Sequence, residues 1–164
     1  MSEPGELAEP DGWSIVRGDV YGTVVFTLAG VAGVIWRDAT PAKVVAVVVS
    51  LVLFVLGIGF AIWSYTMAVE RSRTEDIAVT SLYLLMGGVA PRRVATRLWM
   101  CWGVQIVVAL TVGIIGATGL RKGENNALAF GALVPMFGVG CNGLWAARHG
   151  RYAARAVAQN RSRR

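Results

Sequence analysis

Hydrophobic and polar positions along this 164-residue chain separate into long uncharged runs and short charged islands. The runs cover residues 20–36, 44–69, 98–120 and 128–147. Runs of about 20 apolar residues match the thickness of a bilayer's hydrocarbon core when coiled as helices. The second run is the longest and would reach roughly 39 Å at helical rise, so it must tilt or protrude. Its opening, VVAVVVS, favours a strand in water. In lipid a lone strand leaves its backbone groups unpaired, and a helix does not. The pattern therefore predicts an all-α integral membrane protein with four transmembrane helices.

The islands supply the punctuation. Residues 1–19 carry Glu3, Glu6, Glu9, Asp11 and Asp19, and read as an acidic, mostly disordered leader with no signal-peptide pattern. Trp13, Ile15 and Val16 are its only sizeable apolar group and are placed on the membrane surface. Between the second and third runs, Thr74, Glu75 and Asp76 look like a helix start and Gly87 and Gly88 like a stop. An interfacial helix over residues 75–86 is expected there, too short to span. Pro91 should open the next helix, and Pro135 should kink the fourth. RKGENNA, residues 121–127, reads as an outer loop, and residues 148–164 as a basic tail.

Charge adds an orientation. Of sixteen Lys and Arg, twelve fall in the leader, the segment between the second and third runs and the tail, and four fall in the other two loops. The positive-inside bias then puts both termini in the cytoplasm of a bacterial plasma membrane, with Asp38 and Glu124 outside. A net charge of +6 alone would also suit a nucleic-acid binder. Because Arg92, Arg93, Arg97, Arg148, Arg151 and Arg155 stand beside apolar runs, the expected contacts are anionic lipid head groups or a protein partner instead, with no nucleic acid.

Candidate chemistry is sparse. None of the four runs contains Asp, Glu, Lys, Arg or His, which argues against a proton-coupled transporter. Gln105 and Asn142 are expected to join helices by hydrogen bonds, with contact to a quinone or another ligand as the alternative. Gln105, Ala109, Gly113 and Ala117 recur every four residues and read as a packing stripe, with Ala29 and Gly33 a shorter one on the first helix. On that reading Gly113 opens a groove for a neighbouring backbone, so Gly113→Leu should disrupt packing while Val112→Leu, on another face, should be tolerated. Cys101 and Cys141 are isolated and expected to be buried thiols. His149 has no ligand-like neighbours in sequence, so no metal, cofactor or catalytic residue is assigned.

Two stretches, TEDIAVTSLYLLMGGVAPRRV (residues 74–94) and LAFGALVPMFGVGCNGLWAARHG (residues 128–150), resemble small multi-pass membrane proteins of actinobacteria. Some proteins of that kind and size are accessory subunits of the respiratory supercomplex. The resemblance carries over no site residue. Small-residue helix faces, runs free of charge, the lack of a catalytic cluster and short outer loops together point to a non-enzymatic accessory or assembly subunit of a larger, unidentified membrane complex. The rival expectation is a small homo-oligomeric transporter or pore lined by the glycine-rich fourth helix.

Overall fold

The computed structural model describes residues 12–36, 38–118 and 126–155. In chain order the elements are α1 (Trp13–Ile35), α2 (Thr40–Arg71), β1 (Glu75–Asp76), α3 (Val79–Leu84), α4 (Arg92–Ala117), a 3-10 segment (Ala127–Leu133), α5 (Pro135–His149) and β2 (Ala153–Ala154). Four stretches are long and apolar enough to cross a membrane: α1, α2, α4, and the 3-10 segment taken together with α5.

The first helix begins earlier than the apolar run suggested. Residues 12–19 do not belong to an irregular leader, because Gly12 sits at φ 83° just before α1 and the helix is continuous from Trp13. Val16, Asp19, Thr23, Phe26, Ala29, Gly30 and Gly33 are its buried residues, a helical stripe that passes through Asp19 without interruption. Residues 1–11, most of the expected leader, lie outside the described residues.

The fourth stretch is also reshaped. Pro135 does not kink a continuous α-helix; it occupies the first turn of α5, where a missing N–H costs little. Ahead of it the chain winds as a 3-10 segment, capped by the Asn126 side chain accepting from the Leu128 N–H at 3.1 Å. The Asn126 amide also donates to the Gly113 carbonyl at 2.9 Å, tying this segment to α4. The rest of the expected 121–127 loop lies outside the described residues.

Helix α5 is the most enclosed element, with ten of its fifteen residues buried, against seven of thirty-two in α2. Glycine makes this possible. A Cβ on Gly140 would collide with the Gly57 backbone, and one on Gly57 would lie 2.6 Å from the Met136 carbonyl, so α2 and α5 meet backbone to backbone. The large apolar side chains of α2, among them Val48, Val55, Ile62 and Trp63, point outward.

One end of the bundle carries an ordered cap. Val16 of α1, Ala68 of α2, Leu82 of α3, Val94 and Leu98 of α4 and Trp145 of α5 form a single core there. The helices thus alternate in direction, and the segment between α2 and α4 shares an end with the α1 start and the α5 terminus. The expected helix over 75–86 is shorter: α3 spans six residues, and Glu75–Asp76 instead pairs antiparallel with Ala153–Ala154. The Arg71 guanidinium holds the Glu75 carboxylate at 2.8 Å beside that strand pair. Leu85 in the left-handed region, followed by Gly87 and Gly88 at positive φ, then turns the chain back toward α4.

Candidate functional site

Asp19 and Thr23 lie one turn apart on the buried face of α1. Opposite them on α4 stands Gln105, fully buried like Asp19. Its amide nitrogen donates to Asp19 Oδ1 at 3.0 Å and to Thr23 Oγ1 at 2.8 Å. Its amide oxygen accepts from the Gly138 N–H at 3.1 Å. Gly138 falls in the first turn of α5, where helix N–H groups run short of intrahelical partners, so the carboxamide supplies one. One side chain thus joins α1, α4 and α5, and a Cβ at Gly138 would stand 2.8 Å from its oxygen.

The cluster extends on both sides. The Thr23 hydroxyl donates back to the Asp19 backbone carbonyl at 2.8 Å. Further along α5, the Asn142 amide donates to the Tyr83 carbonyl at 3.1 Å, and the Tyr83 hydroxyl donates to the Ala61 carbonyl at 2.9 Å, linking α5, α3 and α2. Asp19 Oδ2, Asn142 Oδ1 and the Trp102 indole nitrogen are buried with no partner among the described residues.

Asp19 corrects the expectation that no ionisable residue lies within the four apolar helices. Its carboxyl sits inside α1, one of the four stretches long and apolar enough to cross a membrane. Acids buried this completely are uncommon, and this one faces the interior of the bundle.

At the capped end, Arg71 donates to the carbonyls of Ala147 at 2.7 Å and Gly150 at 3.1 Å as well as to Glu75. Tyr152 lies beneath its guanidinium, 5.3 Å from ring centre to Cζ. Burial pushes the Tyr152 phenol up to about 12; Arg71 opposes that rise and Glu75 adds to it.

The sequence-predicted residues divide. Gln105, Ala109, Asn142, Ala29 and Gly33 are buried between helices. Gly33 meets Leu128 and Ala46, where a Cβ would be 2.8 Å from the Leu128 side chain. Gly113 and Ala117 do not continue the packing stripe: Ala117 is exposed, and a Cβ on Gly113 would meet nothing within 4 Å. Val112 is the buried neighbour, packed with Ala46 and Leu128 and beside Gly30. The expected contrast between Gly113→Leu and Val112→Leu is therefore reversed.

Of the arginines, Arg92, Arg93 and Arg97 line one groove with Trp13. Arg148 lies over the Trp63 ring at 5.7 Å. The backbone N–H groups of Arg151 and Arg155 bond to the carbonyls of Val89 and Thr74 while their side chains are exposed. Residues 156–164 of the expected tail lie outside the described residues.

The sequence reading missed Asp19, Thr23, Gly138, Gly57 and Arg71. The first two were accessible in principle, since Val16, Asp19, Thr23 and Phe26 keep helical spacing. The chain was compared with models of protein families, with curated proteins and with solved structures, and matches none of them.

Proposed function

We propose that this protein is a four-span component of a bacterial plasma membrane, with both ends in the cytoplasm, that serves as a non-enzymatic accessory or assembly subunit of a larger membrane complex. The observation that carries the reading is how the interior polar groups are used. Gln105, Asp19, Thr23 and Asn142 bond to one another and to neighbouring backbone rather than lining a path. Close packing points the same way: α2 and α5 touch through Gly57 and Gly140, and the gap beside Phe26, Gly30 and Ser50 amounts to about 10 Å³, scarcely one water. A bundle of this kind offers surfaces rather than a conduit. The twelve-to-four distribution of Lys and Arg supports the orientation, because the arginine-rich segments gather at the capped end. The resemblance of residues 74–94 and 128–150 to small actinobacterial membrane proteins favours a respiratory complex as the host.

Extraction in mild detergent followed by native mass analysis tests the role. Co-migration with a larger assembly is the expected result, and a monomer or a pure homo-oligomer would count against it.

Asp19 favours a second reading, a proton-linked homo-oligomeric transporter, since buried acids mark many ion pathways. Vesicles reconstituted with the pure protein decide that point. Solute-dependent proton flux lost in Asp19→Asn supports the transporter, and no flux removes it.

A further inference from the structure

We infer that the groove between the start of α1 and the start of α4 is a binding site for the head group of an anionic phospholipid drawn from the surrounding leaflet. The groove has a volume of about 1000 Å³. Trp13, Arg92, Arg93 and Arg97 line it together with the apolar Val94 and Met100. Among the described residues no carboxylate lines it, and no acidic side chain pairs with these three arginines.

Three like charges in one groove repel one another, and a multiply hydrogen-bonding anion relieves that repulsion. Guanidinium groups suit a phosphodiester because their fixed forks match two oxygens at once. The Arg97 guanidinium is already oriented, lying 4.5 Å over the Trp13 ring. Arg92 and Arg93 are exposed beside it.

Position selects lipid over a free anion. Along α4 the charged turn gives way within one turn to Trp99 and Met100, both largely exposed, and then to the outward apolar side chains of Val104 and Val107. A phosphate held by the arginines would therefore have acyl chains running down an apolar helix face. Basic pockets at the cytoplasmic ends of helices bind anionic head groups in this manner. The inference rests on the membrane placement proposed above and not on the accessory role.

The test is native mass spectrometry of the full chain in detergent, titrated with phosphatidylglycerol, phosphatidylcholine or inorganic phosphate. Retained phosphatidylglycerol with little phosphatidylcholine is expected, unchanged by excess inorganic phosphate. The double variant Arg92→Gln/Arg93→Gln, with its melting temperature checked for folding, should bind phosphatidylglycerol on the order of tenfold more weakly. Arg73→Gln, which removes an exposed charge just after α2 and outside the groove, should bind as the unaltered chain does. Equal retention of both lipids, an unaffected double variant or displacement by inorganic phosphate would overturn the site. Alkaline carbonate washing of native membranes separates the two claims. Release of the chain overturns the membrane placement and the site together, whereas a retained chain lacking lipid preference overturns the site alone.

Discussion

Gln105 donates to Asp19 at 3.0 Å although 86 residues separate them, and the same carboxamide accepts from the Gly138 N–H. Three helices are fixed against one another through one side chain. Gln105→Leu keeps the volume close but strands Asp19, Thr23 and the Gly138 N–H together. A loss of about 1–3 kcal/mol is expected, the usual cost of a stranded buried polar group. Asp19→Asn retains an acceptor for Gln105 and should lose less than Asp19→Leu. Denaturant titration in detergent ranks the three variants, and equal stability of Gln105→Leu and the unaltered chain would contradict the clamp.

The α2–α5 contact leaves no room for a methyl group at Gly57 or Gly140. Gly140→Ala should destabilise by about 1–3 kcal/mol, the scale of overpacking. Gly113→Leu, where a side chain meets open space, should be tolerated, while Val112→Leu should lower the melting temperature. Thermal unfolding of the purified variants checks the order.

Arg71 holds the cap by three acceptors on two segments: Glu75 of β1, and Ala147 and Gly150 at the end of α5. Lysine presents one compact charge and cannot reproduce that fork. Both Arg71→Lys and Arg71→Ala should therefore accelerate hydrogen exchange in residues 74–76 and 151–155, leaving α4 protected.

The cap should also loosen at high pH. Burial, the main cause, and Glu75 raise the Tyr152 phenol from 10.0 to about 12 in the folded protein, against the lowering effect of Arg71. With the folded value above the unfolded one, this contribution is complete below about pH 10. It is then lost as pH rises through about 12. Tyr152→Phe should remove that step from a stability–pH curve; an unchanged curve would assign the step to another group.

Much of the architecture was legible because long apolar runs and their charged stops are strong local signals: four long apolar stretches are helical, and the opening at Pro91 appears where expected. Asp19 was not, because an acid following four others looks like the end of a solvated leader, and its burial depends on partners on α4. The error on α4 was geometric. Steps of four residues advance about 40° beyond a full turn, so a stripe that is buried at Gln105 and Ala109 has rotated by roughly 80° at Gly113 and 120° at Ala117. The buried positions are Val94, Leu98, Gln105, Ala109 and Val112, which mix steps of three, four and seven. Arg71 gives no such signal in sequence, since its acceptors in β1 and at the end of α5 lie 4 to 79 residues away and no periodicity places them together.

Photo-crosslinking in native membranes decides whether the outward surfaces of this bundle serve a larger assembly, as proposed. A photoreactive residue placed at Val55 on α2 or at Leu110 on α4 faces away from the core. Discrete adducts with the same protein partner, cell preparation after preparation, are expected from at least one of these faces, and none from a buried control such as Leu98. Adducts with lipid or with copies of this chain alone, from both faces, would contradict the proposal.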